Sequence, residues 1–262
     1  MAAPEIDLAA AAEQLGVHYQ TAYKWVRSGA LPAHRVRGRY VLDPIEVAAF
    51  DERRSRPSSA PRRRPRGGYE QFRRQMTTAL SDGDERTARR LASDLVDRGV
   101  SLTTVTHELV VPALLHIGSE WHAGRLPIWA EHRASAIVQR LLGELDPHPR
   151  GRRRGTVMVA ALSGDHHGLP TSMAAAALRE DNWRVHHLGA DMPADELVHF
   201  CEQHEVDLAV LTVTVPEVRA LANETAERLE HLGTRALVGQ PGSTLIELQA
   251  MARDGRHPST TN

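Results

Sequence analysis

Apolar residues recur along this chain with changing rhythm, and each rhythm predicts a different kind of element. Residues 7–15 carry helical spacing and Gly16 supplies a turn. Residues 17–28 follow as a second helix, with Ala22, Trp25 and Val26 as packing positions and Tyr19, Gln20, Thr21, Lys24 and Arg27 as polar or long ones. Gly29, Ala30, Leu31 and Pro32 end that helix, and charge alternates with bulk over residues 35–41 around Gly38 as in a small hairpin. Asp43 as N-cap and Pro44 at the first helical position open a third helix through Phe50. Residues 53–68 contain Arg, Pro, Ser and Gly with almost nothing to bury, the composition of a linker.

From residue 69 to about residue 145 the helical period returns in roughly four segments, broken at 81–83, 98–99 and 124–127, which predicts a four-helix bundle. Beyond a basic break at 147–154 the rhythm changes again. Apolar strands at 156–162, 185–188, 208–215 and 236–238 alternate with helices near 171–180, 194–204, 217–232 and 243–252, the pattern of a doubly wound, flavodoxin-like parallel sheet. The fold class is multidomain, α and α/β: a winged helix-turn-helix at 1–52, a linker at 53–68, a helical bundle at 69–148 and a Rossmann-like domain at 153–255.

Charge sharpens this division. Residues 1–68 hold 12 Lys or Arg against 7 Asp or Glu, and the remainder holds 20 against 26, so a basic end is attached to an acidic body. That asymmetry suits a nucleic-acid reader joined to a separate sensing part. The single cysteine, Cys201, excludes a disulfide framework and a cysteine-built zinc site. No apolar stretch approaches the roughly 18–20 residues that cross a bilayer, and no leader pattern opens the chain, so a cytoplasmic location without membrane attachment is expected.

A recognition helix must show hydrogen-bonding side chains to base edges while its back packs on the preceding helix. Gln20, Thr21 and Lys24 suit that front face, Arg27 suits a phosphate, and Arg35, Arg37 and Arg39 in the hairpin can reach flanking phosphates or a minor groove. The run Leu15-Gly16-Val17 together with residues 23–32 (YKWVRSGALP) resembles winged helix-turn-helix domains of the MerR and excisionase type, which implies a double-stranded DNA operator as partner. The alternative is a small protein-interaction module with a solvated basic face.

Two histidine clusters hold the remaining chemistry. Trp121-His122 precedes Glu131-His132 in the helical region, and Asp165-His166-His167 ends an apolar strand, so two separate domains offer imidazoles to one flat, metal-containing ligand. A neutral imidazole is a common axial base, and a carboxylate on its second nitrogen fixes the tautomer; Asp165 can serve His167 in this way. His166 can exchange roles with His167, or the two can hold zinc, although no four-ligand set is visible nearby. No serine, cysteine or paired-carboxylate constellation suggests an enzyme.

Asp165-His166-His167-Gly168-Leu169-Pro170 resembles the cobalamin-binding motif of methionine synthase, corrinoid methyl carriers and light-sensing repressors, an acid, any residue, His, two residues and Gly. Pro170 departs from it. Thr212-Val213-Thr214 resembles the family's small-residue motif and Gly239-Gln240 its paired glycines; Pro170, Gln240 and the lack of a clear fifth strand narrow the expected slot for the nucleotide tail. Trp121, nine residues and then Glu131-His132 is similar to the CarH and LitR light-responsive repressors. That resemblance implies that Trp121 packs on the adenosyl group of adenosylcobalamin, that Glu131 and His132 line the same pocket, that His167 is the lower cobalt ligand and that His122 binds cobalt after photolysis. It also implies a repressor whose oligomer, a tetramer or a dimer, assembles in the dark and parts in light. A regulator built on another tetrapyrrole such as haem or a bilin, or working without a cofactor, is an alternative, and a corrinoid methyl carrier is another.

Overall fold

The computed structural model describes residues 6–27, 31–36, 38–55, 68–147, 151–240 and 242–254. The predicted residues Ser28, Gly29, Ala30 and Arg37 and most of the linker lie outside the described residues, and the side chain of Lys24 is not described. The chain divides into two compact units, Met1–Pro61 and Arg62–Asn262, which are taken in turn.

In the first unit, α1 (Leu8–Gln14) and α2 (Tyr19–Arg27) are followed by strands β2 (His34–Val36) and β3 (Arg39–Leu42) and by α3 (Pro44–Ser55). A short strand β1 (Ile6–Asp7), absent from the sequence reading, pairs antiparallel with β3 and completes a three-stranded sheet. Asp7 caps α1 by accepting from the Ala10 amide at 2.8 Å, and Asp43 accepts from the Ile45 amide at 2.8 Å. The core gathers Leu8, Leu15, Ala22, Leu31, Leu42 and Val47, with Trp25 leaning on Phe50. A helix-turn-helix with a β wing results.

The second unit begins with α4 (Glu70–Asp82) and α5 (Glu85–Asp97). The third bundle helix is not uniform: α6 (Leu102–Val105) passes through a π segment (Thr106–Val110) into α7 (Val111–His122). Pro112 explains the widening, because in a regular α-helix its ring would meet the carbonyl of Glu108 and its missing N–H would leave that carbonyl unpaired. Arg73 from α4 fills the gap, donating Nε to the Glu108 carbonyl at 3.0 Å and a terminal nitrogen to the Glu108 carboxylate at 3.0 Å. The bundle closes with α8 (Ile128–Glu144) around Leu80, Leu95, Leu109, Ile117, Ala134 and Ile137.

The doubly wound part follows as β4 (Thr156–Leu162), α9 (Gly168–Glu180), β5 (Arg184–Met192), α10 (Ala194–Gln203), β6 (Leu208–Thr212), a 3-10 turn (Pro216–Val218), α11 (Arg219–His231), β7 (Arg235–Val238) and α12 (Leu245–Arg253). Its described sheet is parallel with order β5-β4-β6-β7. Helices cover both faces, so β4 is buried along nearly its whole length and reads as an unbroken apolar run. Met173 and Ala176 of α9 also belong to the bundle core, so bundle and sheet domain share one apolar interior. Among the described residues no helix is long and apolar enough to cross a membrane.

Candidate cofactor-binding site

The sheet order fixes where a ligand can sit. The chain leaves β4 toward β5 on one side, while β6 lies on the other, so the loops after β4 and β6 part company and open a crevice at the carboxyl ends of the strands. Asp165 lies in the first loop and Thr214 in the second. The Asp165 side chain is wholly enclosed, with one oxygen accepting from the Thr214 amide at 2.7 Å and the other from the Thr214 hydroxyl at 2.6 Å. The second oxygen also takes His167 Nδ1 at 2.8 Å and the His167 amide at 3.2 Å. Burial pushes this carboxyl up, but the bonds from Thr214 and His167 outweigh it and hold it below its ordinary value.

An ionised carboxylate on Nδ1 leaves Nε2 of His167 as the nitrogen with a free lone pair, and the ring is 62% exposed, so that lone pair is open to a ligand. His166 is turned away toward Asp191, at 3.5 Å, so the two neighbours do not exchange roles in this structure. Asp191 holds a left-handed backbone, φ 57°, and accepts from the Gly164 amide at 2.9 Å, which shapes the loop from its far side. Gly168 starts α9 directly after His167, three residues earlier than the predicted Thr171. Pro170 falls in the first turn of that helix, where amides have no helical partner, and so is accommodated.

Facing this floor is the end of α7. A cleft of about 780 Å³ is lined by Leu114, Leu115, Gly118, Ser119, His122 and Ala123 on one wall and His167 on the other. Its walls are mostly apolar, and Leu115 remains 70% exposed, a side chain that a large apolar ligand would cover. Sequence reasoning found the two histidines but missed the other lining residues. The signal for them was helical phase, since positions 114, 115, 118, 119 and 122 recur three or four apart on one face.

The other candidates are placed less centrally. Trp121 meets the His122 ring edge-on at 5.5 Å between centroids but lies outside the cleft lining. Glu131 and His132 also lie outside it; they pair with each other at 2.6 Å, and Ser135 donates to Glu131 at 2.8 Å. Of the four bundle residues, His122 is the one that lines this cleft. Among the described residues no three His, Cys, Asp or Glu side chains are grouped to hold an ion.

Beside the sheet, the Thr212 hydroxyl leans on the Ala160 carbonyl at 3.4 Å, and β6 ends there rather than at Val215. The Gly239 amide donates to the Leu211 carbonyl at 2.8 Å, and a Cβ at Gly239 would come within 3.3 Å of the Val213 amide nitrogen, so glycine allows this close approach. Gln240 is held by Arg219 at 3.1 Å. In the first unit, Gln20, Arg27, Arg35 and Arg39 are exposed and Thr21 half-buried. Arg35 lies over the Tyr40 ring, 4.7 Å from its centroid, and donates to the Tyr40 hydroxyl at 3.2 Å.

One enclosed acid, an imidazole held by it, a second imidazole in the lining and an apolar cleft at a switch point suit a flat macrocycle whose metal takes an axial base. Comparison with known proteins agrees in the class. Residues 155–257 match the B12 binding domain family, residues 73–146 match a second B12 binding domain family, and residues 6–55 match a helix-turn-helix domain. The chain thus carries regions that match B12 binding domains and a helix-turn-helix domain in one polypeptide.

The chain is 38% identical over 104 residues to the HTH-type transcriptional repressor CarA of Myxococcus xanthus, covering 38% of this chain and 34% of that protein. It is 35% identical over 91 residues to the repressor CarH of the same organism, covering 34% of this chain and 30% of that protein. The chain thus spans about a third of the length of these two repressors. A monomethylamine corrinoid protein of Methanosarcina barkeri shares the fold, with TM-score 0.59 and 15% identity, covering 72% of this chain and 100% of that one.

Proposed function

We propose that this protein is a transcriptional repressor that senses light through adenosylcobalamin held between the helical bundle and the doubly wound domain. The observation that carries the reading is the meeting of His122 and His167, from separate domains, across one apolar cleft. His167 would be the lower ligand, with Asp165 and Thr214 fixing its tautomer through Nδ1. When bound, the cofactor supplies a cobalt–carbon bond that green light breaks. His122, which lines the same cleft, would be the residue that holds cobalt after photolysis. Trp121, Glu131 and His132 would, by the resemblance, contribute to the pocket around the adenosyl group.

The helix-turn-helix domain would bind operator DNA through Gln20, Thr21, Lys24 and Arg27, with the wing arginines on phosphates. Several such domains in one assembly raise effective concentration on a single operator without new contacts, so light-driven dissociation of a tetramer or dimer would release DNA. Size-exclusion chromatography with absorbance detection tests this on protein mixed with adenosylcobalamin, in the dark and after green illumination. Corrin co-eluting in the dark with a larger species that shrinks in light is the expected result; corrin eluting apart from the protein in both runs overturns it. Gln240, held by Arg219 where the resemblance expects a second glycine, favours the second reading, a tetrapyrrole without a nucleotide tail such as haem or a bilin. Its absorbance spectrum would identify it.

A further inference from the structure

The bundle is fastened to the sheet domain unevenly. At the C-terminal end of α9 the fastening is dense: the Glu180 carboxylate accepts from the Leu102 amide at 2.6 Å and the Thr103 amide at 2.9 Å. It thereby caps α6 from another domain, placing a negative charge at the helix end whose amides lack partners. Ser101 completes the cap by accepting from the Thr104 amide at 3.1 Å. Gln249 of α12, itself buried, reaches the Thr103 hydroxyl at 2.9 Å and the Ala177 carbonyl at 2.7 Å, and Arg179 meets Asp146 beyond α8 at 3.2 Å. Halfway along α9 the Ser172 hydroxyl donates to Gln139 at 3.1 Å. At the N-terminal end Leu169 packs against the shared apolar core, and beside it His122 and His167 line the cleft, with no hydrogen bond joining bundle and α9 there among the described residues.

This gradient lies along one lever. The third bundle helix runs from the Glu180 cap at Leu102 to His122 at the cleft, through the π segment at Thr106–Val110. We propose that Glu180 is a positioning residue: the C-terminal end of α9 is the pivot about which the bundle swings, and Glu180 sets how far His122 stands from His167. A rotation about a fixed end moves the far end most, so polar ties concentrated at Leu102 leave apolar packing, which can slide, as the restraint at the cleft end while the bundle stays docked. The proposal rests on the cofactor reading for its purpose, but the pivot itself is testable without any ligand.

The test uses the full chain with Cys201→Ser, and spin labels on Ala123→Cys at the lever's free end and Glu196→Cys on α10. Pulsed electron spin resonance then gives the distance distribution in apo-protein, alone and with Glu180→Ala or Glu180→Gln. The expected result is a broadened and shifted distribution for Glu180→Ala, with Glu180→Gln between it and the parent because one acceptor oxygen remains. Hydrogen exchange at the Leu102 and Thr103 amides should rise in the same order. Faster exchange there with an unchanged distance distribution would make Glu180 a local helix cap and overturn the proposal. Circular dichroism identifies a variant that fails to fold, and the milder Glu180→Gln keeps the question open to decision. Corrin added to the parent chain reports separately on the cofactor reading: absence of binding would defeat that reading and leave the apo distances to judge the pivot.

Discussion

His167 and His122 face each other across one cleft but are held very differently. His167 is bound through Nδ1 to an enclosed, ionised carboxylate that is itself gripped by the Thr214 amide and hydroxyl, so its ring is set before any ligand arrives. His122 sits in the last turn of α7, and its recorded neighbour is the edge of the Trp121 ring. The floor is preorganised and the roof is free to adjust. A sensor needs both, since a fixed ligand anchors the cofactor while a mobile one can answer a change in it.

The largest effect expected from breaking this contrast is on the floor. His167→Ala should weaken corrin binding, measured by spectral titration, by more than any other single change here. Asp165→Asn should follow, with about 10–100-fold lower affinity from the loss of the second-shell carboxylate, read in the same titration. It should also lose about 1–3 kcal/mol of stability in denaturant melts, since an amide cannot accept all the bonds that this carboxylate accepts. Because the folded Asp165 value lies below the ordinary one, its contribution is present at neutral pH and is lost in the wild type only as pH falls through that lowered value.

Changes to the roof should be milder in the dark. His122→Ala should leave dark affinity for adenosylcobalamin within about threefold of wild type, well under the tenfold that corresponds to ~1.4 kcal/mol. The illuminated spectrum, by contrast, should lose the signature of a second imidazole. Behind the floor, His187 on β5 shares a 2.8 Å hydrogen bond with the buried Thr171 hydroxyl. Burial, then Arg179, push its imidazole down against a smaller opposing pull from Asp146. Its contribution is therefore complete above the unfolded imidazole value of about 6.5 and is lost as pH falls below it toward the lowered folded value. Thermal melts of wild type and His187→Gln across that interval should show a steeper acid-side decline for the wild type.

Much of this arrangement was legible in the sequence because it follows local rules. The strand at 156–162 and its neighbours are apolar runs between turn signals, and the acid two positions before His167 suggested its own partner. The widening at Thr106–Val110 was also written locally, in Pro112, but its consequence depends on Arg73, thirty-five positions from Glu108, coming to the freed carbonyl. The β1 strand is two residues long and exists only through its pairing with β3, so no periodicity could reveal it. Trp121, Glu131 and His132 were expected in the pocket with His122. Which residues of α7 and α8 line the cleft depends on how the two helices are rotated, which side-chain spacing on separate helices does not specify.

The central claim is that His167 supplies the lower ligand to a corrin in this cleft. Electron spin resonance of the protein loaded with the paramagnetic cobalt(II) corrin tests it directly, comparing protein made with ordinary histidine and with nitrogen-15 histidine. Coordination by His167 predicts that the nitrogen splitting of the cobalt lines changes from a triplet to a doublet on labelling, and that His167→Ala abolishes this change. A triplet unaffected by the label would mean that the cofactor keeps its own base and that the floor described here is not its ligand.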